Sequence, residues 1–267
     1  MRVTVEAGRV VRIQGDPDHP TTQGALCTKV SRYAERTYHD ERVLFPLRRV
    51  GAKGRGEFER VSWDEALADI AGRLRAIAAR DAQAIVPYSY AGTMGLLQGE
   101  AMAQRLFHKL GASLLDRTIC SMAGGEALAA TYGSKVGMHT RFFAESRLIV
   151  IWGSNSITSN LHFWALAQEA KRRGAKLIAI DPRRTETAEK CHRHIALLPG
   201  SDGALALGVM HELQKNGWLD RDYIERHVDG FDKLARRIAE WPAERAAAVC
   251  GIGVDEVRSL ARDLGTT

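Results

Sequence analysis

The segment from Leu148 to Asp202 constrains the fold more than any other part of the chain. An apolar run, LIVIW, stops at Gly153-Ser154-Asn155. A second, KLIAI, stops at Asp181-Pro182-Arg183-Arg184-Thr185, and Pro199-Gly200-Ser201-Asp202 then opens a helical pattern. The stretch between the two runs reads as a helix near 160–173, so strand, helix and strand form a parallel βαβ unit. In an open α/β sheet ligands sit outside the carboxyl ends of the strands. Here those ends carry glycine, hydroxyl and arginine side chains. Glycine lets a ligand approach the backbone, helix N-termini offer free N–H groups, and arginine supplies charge in a bidentate geometry. Such turns suit a nucleotide with a pyrophosphate. No G-x-G-x-x-G follows either run, and no Walker loop, G-x-S-x-G elbow or kinase signature occurs, which argues against a generic NAD, nucleotide-hydrolysing or serine-hydrolase reading.

The rest of the chain reads around that unit. Residues 1–62 are β-rich: Val3, Val5, the Ala7-Gly8 turn, Val10, Val11 and Ile13 predict one hairpin. Leu44–Val50 and Phe58–Val61, joined by a glycine-rich turn, predict another. Ser62-Trp63-Asp64-Glu65 is a capping-box pattern, followed by a helix with Leu67, Ile70, Ala71, Leu74 and Ile77 on one face. Ala84–Tyr88 predicts a short strand leading into a loop at 89–95. Met102, Ala103, Leu106, Phe107 and Leu110 form a helical stripe read as core. Met122–Leu128 is read as a loop entering a small-residue helix, and helices are expected around Leu205–Leu213 and Val257–Leu264. The predicted class is α/β, Rossmann-like parallel sheet layers with a small N-terminal β-rich subdomain. The segments are 1–62, a first α/β segment 63–117, and a nucleotide-binding domain 118–267.

Three strings in order, GSN, DPRRTETA and PGSDGAL, resemble the molybdopterin oxidoreductase family, the dimethyl sulfoxide reductase and formate dehydrogenase group. The resemblance extends over essentially the whole chain. It implies bis-molybdopterin guanine dinucleotide carrying molybdenum or tungsten, held by Gly153, Ser154, Asn155, Asp181, Arg183, Thr185, Pro199, Gly200 and Asp202. It also implies two-electron redox chemistry on a small-molecule substrate, with electrons passing through a [4Fe–4S] cluster to an electron-transfer protein or subunit. Asp202 can cap its helix or bind the guanine edge, and both roles can hold. His162 and Trp164 follow the GSN turn and read most simply as core.

Cys27, in Gly24-Ala25-Leu26-Cys27-Thr28-Lys29, matches the family's last iron–sulfur cysteine, and Lys29 resembles the lysine lying between cluster and pterin. A cubane needs four thiolates, so we expect the chain to be the N-terminal part of a longer protein, beginning downstream of three short-spaced cysteines. Cys120 resembles the residue that ligates molybdenum or tungsten, a role for which a soft thiolate is suited, with Ser121 adjacent as the alternative. On residue chemistry alone, a lone cysteine is most often a small buried hydrophobe.

The chain has 267 residues, 45% hydrophobic and 26% charged, with a formal net charge of +6. The basic residues are dispersed, at Arg48-Arg49, Lys171-Arg172-Arg173, Arg183-Arg184 and Arg236-Arg237, which argues against a nucleic-acid surface. The cysteines, Cys27, Cys120, Cys191 and Cys250, form no C-x-x-C pair, so no disulfide framework is expected. The histidines show no H-x-x-x-H or H-E-x-x-H spacing and no third ligand near His192-x-His194, so no zinc site is expected. No apolar run reaches the roughly 18 residues of a membrane span. Met1 is followed by neither a signal h-region nor a twin-arginine pair, and a cytoplasmic protein is expected. Two other classes fit the strings less fully. One is a non-catalytic structural homologue resembling the large iron–sulfur subunit of respiratory NADH dehydrogenase; the other is a plain nucleotide-binding module.

Overall fold

The computed structural model describes residues 1–89, 95–116, 118 and 121–267. The chain divides into two compact units. One comprises Met1–Ala34 with Met138–Thr267, the other Glu35–Gly137. In chain order the strands are β1 (Arg2–Glu6), β2 (Arg9–Gln14), β3 (Leu47–Arg49), β4 (Phe58–Arg60), β5 (Leu148–Trp152), β6 (Lys176–Ile180) and β7 (Arg193–Ile195). The α-helices are α1 (Thr28–Ser31), α2 (Tyr33–Thr37), α3 (Trp63–Asp81), α4 (Ala103–Leu110), α5 (Met122–Tyr132), α6 (Ser156–Ser159), α7 (Leu161–Arg172) and α8 (Glu186–Lys190), then α9 (Asp202–Lys215), α10 (Arg221–His227), α11 (Phe231–Ala239), α12 (Ala243–Cys250) and α13 (Val254–Thr266).

The first unit is built on a parallel sheet of order β5-β6-β7, with Leu148 opposite Lys176 and Ile178 opposite Arg193. Alternate side chains of its strands enter two cores. Ile178, Ile180 and Ile195 pack with Leu205, Val209, Ala247, Val257 and Leu260 of α9, α12 and α13. Ile149, Ile151 and Leu177 pack with Ala167 and Ala170 of α7. Each fully buried Leu or Ile contributes roughly 1.5–3 kcal/mol. Helices on both faces explain why β5 and β6 are unbroken apolar runs. Arg193 braces the sheet against α13: its Nε donates to Glu256 Oε2 at 2.9 Å, its Nη2 donates to the Glu256 carbonyl at 2.7 Å, and its Nη1 donates to Ser259. The same unit carries the β1–β2 hairpin, with a register shift after Thr4.

In the second unit β3 and β4 pair antiparallel with Leu47 opposite Arg60. Ser62 caps α3: Glu65 N donates to its Oγ, and Ser62 N donates to Glu65 Oε2 at 2.8 Å. Three expectations are corrected in this unit. Ala84–Tyr88 is not a strand; Ala82–Ala84 is a 3₁₀ turn, and just beyond it the Ile85 carbonyl accepts the Ser113 N–H at 3.0 Å. A strand needs a ladder partner, and none is among the described residues. α5 begins at Met122 itself, without an intervening loop. Met102 and Leu106, read as core, are exposed, although Phe107 and Leu110 are half-buried. The 89–95 loop lies largely outside the described residues, and so does Cys120.

Candidate functional site

Three loops meet at the carboxyl edge of the parallel sheet because each leaves a strand end or enters a helix there. The first leaves β5 at Gly153, whose φ of 63° lies in the left-handed region that favours a residue without a Cβ. Its N–H donates to the Ile180 carbonyl at 2.8 Å, stitching this turn to the end of β6. The second leaves β6 at Asp181, where Asp181 Oδ1 accepts the Arg183 N–H at 2.8 Å, an Asx turn that projects Arg183 and Arg184 into solvent. The His194 ring on β7 meets the Asp181 carbonyl at 2.8 Å and holds the turn from beneath. The third, Pro199–Asp202, turns at Gly200 with φ 82°. Ser201 Oγ donates back to the Leu198 carbonyl at 2.6 Å, and the Cys250 thiol donates to the Ser201 carbonyl at 3.4 Å. Burial pushes that thiol up from its ordinary pKa, so it acts as a neutral donor under the turn.

The first two loops are latched together. Thr187 is fully buried; its hydroxyl donates to Asn155 Oδ1 at 2.8 Å and accepts the Ile157 N–H at 3.1 Å. Asn155 Nδ2 donates to Glu186 Oε2 at 3.0 Å. Asn155 thus joins the turns instead of standing free, while Ser154 Oγ lies 3.0 Å from Ser156 Oγ. Thr185 is buried and caps α8, accepting the Ala188 N–H at 3.2 Å. Asp202 is exposed at the head of α9, and no side chain caps that helix. Its Oδ1 instead accepts the Trp152 indole N–H at 2.7 Å. The first and third loops are therefore also joined.

Sequence reasoning passed over Thr187 and Trp152. The repeated hydroxyl in Thr185-Glu186-Thr187 was the available signal for the former. For Trp152, a large aromatic with a donor N–H where an apolar strand ends was the corresponding mark.

The same unit contains a cleft of about 350 Å³ between the hairpin segment and the start of α7. Cys27 and Lys29 line it from one side, Thr158, Ser159, Asn160 and His162 from the other. Cys27 is half-buried, Lys29 is exposed, and His162 Nδ1 is buried with no hydrogen-bond partner among the described residues. Two segments far apart in sequence thus share one wall space beside the GSN turn. Cys27, Cys191 and Cys250 are free thiols, and among the described residues no three His, Cys, Asp or Glu cluster as metal ligands.

The donor chemistry at the sheet edge fits an anionic dinucleotide. Among the described residues neither Arg183 nor Arg184 forms an ion pair, a Cβ at Gly153 or Gly200 would meet nothing within 4 Å, and Asp202 keeps acceptor capacity for a base edge. Of the four thiolates that a cubane needs, Cys27 is the one that lines this cleft.

Two family models and several known proteins match this chain. Residues 42–259 match the molybdopterin oxidoreductase model, and residues 1–39 match the molybdopterin oxidoreductase Fe4S4 domain. The probable oxidoreductase YoaE of Bacillus subtilis (strain 168) is 37% identical over 261 residues, covering 97% of this chain and 38% of that protein. Acetylene hydratase of Syntrophotalea acetylenica is 32% identical over 261 residues, covering 91% and 33%. The structure of acetylene hydratase from Pelobacter acetylenicus superposes with a TM-score of 0.79 at 28% identity, covering 97% of this chain and 36% of that one. The chain spans about a third of the length of these relatives. No helix among the described residues is long and apolar enough to cross a membrane.

Proposed function

Because the chain belongs to the molybdopterin oxidoreductase family, we propose that its sheet edge binds the guanine nucleotide end of a molybdopterin guanine dinucleotide. The observation that carries this reading is the joining of all three loops at one edge, through Asn155–Thr187 and Trp152–Asp202. Arg183 neutralises the diphosphate, Gly153 and Gly200 admit it close to the backbone, Asp202 accepts from the base, and Asp181 keeps Oδ2 for a ribose or base donor. Ser154 and Asn155 shape the floor beside the pterin. Thr185 and Pro199 hold the second and third turns in form. When bound, the pterin-held molybdenum or tungsten supplies two-electron redox chemistry to a small-molecule substrate. Cys120 is the proposed thiolate ligand of that metal, an assignment resting on the sequence alone.

Cys27 is proposed as one iron–sulfur ligand, with Lys29 placed in the same cleft beside the GSN loop. The division into 1–62 on the cluster side, 63–117, and 118–267 on the nucleotide side follows from these roles. An electron-transfer subunit or protein is the expected partner of the whole protein, and the cytoplasm its expected location.

The test is binding of GDP and ADP to the 267-residue chain. GDP should bind in preference. Arg183→Ala should weaken GDP binding about ten- to hundredfold, the loss of one charge-assisted contact. Equal binding of the two nucleotides, unchanged by Arg183→Ala, would overturn the reading.

A further inference from the structure

We infer that Trp152 is the positioning residue of the base-binding carboxylate, an inference that rests on the guanine reading above. Trp152 closes β5 and Asp202 opens α9, fifty positions apart, yet the indole Nε1–H donates to Asp202 Oδ1 at 2.7 Å. The bond is made at the surface, where Trp152 keeps 39% of its area exposed. Water could satisfy both groups there, so the fold has little need of the bond. Nor does Asp202 cap its own helix: Ser201 is the N-cap residue, and no side chain bonds the first-turn N–H groups.

What the bond does is orient a charge. A carboxylate at a helix head can otherwise rotate about its terminal torsion, which is broad and weakly restrained. One indole donor on Oδ1 fixes that plane and uses a single lone pair. Three acceptor positions remain, at least one on each oxygen. Guanine presents N1–H and the N2 amino group side by side, so it needs both oxygens in a set plane. Hypoxanthine offers N1–H alone. The pinned carboxylate should therefore discriminate between these two bases, and the discrimination should depend on the indole N–H.

The experiment compares GDP with inosine diphosphate on the 267-residue chain. Both share ribose and diphosphate, so a general loss of fold or of phosphate binding leaves their affinity ratio unmoved. In the wild type GDP should bind about tenfold more tightly, the worth of one charge-assisted hydrogen bond. Trp152→Phe should bring the ratio down to about threefold or less. Replacing Trp152 with benzothienylalanine, which keeps the ring shape and exchanges the N–H for sulfur, should do the same. Trp152→His, which retains a ring donor, should recover part of the ratio.

A ratio unchanged in both Trp152→Phe and the benzothienyl variant overturns the role of Trp152 and leaves the guanine reading standing. A ratio lost in Trp152→Phe but kept by the benzothienyl variant also overturns it, because ring packing would then be the cause. Wild-type chain that binds GDP no better than ADP sinks the guanine reading, and this inference with it.

Discussion

Thr187 Oγ1 lies 2.8 Å from Asn155 Oδ1, a bond that helps to tie the turn after β5 to the turn after β6. The threonine is fully buried and bonds twice, donating to Asn155 and accepting from the Ile157 N–H. Two loops that, on the proposed reading, present one ligand-binding surface are thereby held in fixed relation. A latch of this kind preorganises a site, because the ligand need not order the loops when it binds.

Thr187→Val tests the latch with little change in shape. It leaves the Ile157 N–H and Asn155 Oδ1 without their partner in a buried setting, which should cost about 1–3 kcal/mol. A lower urea midpoint with an unchanged slope is the expected stability result. GDP affinity should fall as well, although Thr187 itself need not touch the ligand. If the midpoint falls and GDP affinity at full folding is unaltered, the latch stabilises the fold without shaping the site.

Cys191 gives a pH-dependent prediction. It is half-buried against the α7 side of the sheet, and burial pushes its pKa up from 9.0 to about 11, with Lys171 opposing. Iodoacetamide labelling of the folded chain should therefore be slow at Cys191 at pH 8 and should rise about tenfold per pH unit toward pH 11, since the thiolate is the reactive form. The linkage has a definite sign. The folded state holds this proton more tightly than the unfolded state, so the contribution is complete below pH 9 and is lost between pH 9 and about 11. The stability advantage of wild type over Cys191→Ala should shrink across that window. An advantage that stays constant would show that burial does not shift this thiol.

Much of the site was legible in the sequence because its frame is regular. β6 is buried along most of its length and β5 packs helices on both of its faces, so their apolar runs are long and their ends are plain. The Ser62–Glu65 capping box and the Ala7-Gly8 turn are local devices, and local devices can be read from neighbouring letters. β7 was less legible, since Arg193 and His194 interrupt its apolar pattern; one braces α13 and the other holds Asp181. Trp152 and Thr187 were passed over because their partners, Asp202 and Asn155, lie far along the chain. Ala84–Tyr88 carries a strand's composition, but a ladder is a property of two segments.

Gly208 and Gly72 make a paired prediction. Both are in helix interiors, where glycine is normally about 1 kcal/mol worse than alanine. A Cβ on Gly208 would sit 2.4 Å from Ala246 Cβ and 3.2 Å from Val257 Cγ1, so α9 and α12 would have to separate. Gly208→Ala should destabilise by about 1–3 kcal/mol despite the better helix former. Gly72 in α3 has nothing within 4 Å of its Cβ position, and Gly72→Ala should stabilise by about 0.5–1 kcal/mol. Thermal unfolding of the two variants should shift in opposite directions. Stabilisation by both substitutions would mean that α9 and α12 are not packed as closely as described.

Anaerobic reconstitution of the 267-residue chain with iron and sulfide provides the last prediction. Residues 1–39 match the Fe4S4 domain, and Cys27 faces a cleft that also holds Lys29. Cys191 and Cys250 cannot complete the ligand set at that place. Cys250 is buried in the core with its thiol under Ser201, and Cys191 packs against the α7 side of the sheet. Adding one or two external thiols does not substitute for protein ligands that must be preorganised around a cubane. The broad visible absorbance of a [4Fe–4S] cluster should therefore fail to survive desalting, with far less than one cluster retained per chain. Cys27→Ala should retain the same small amount of iron as the wild type. A stable cluster, abolished by Cys27→Ala, would show that this chain supplies a full ligand set around Cys27.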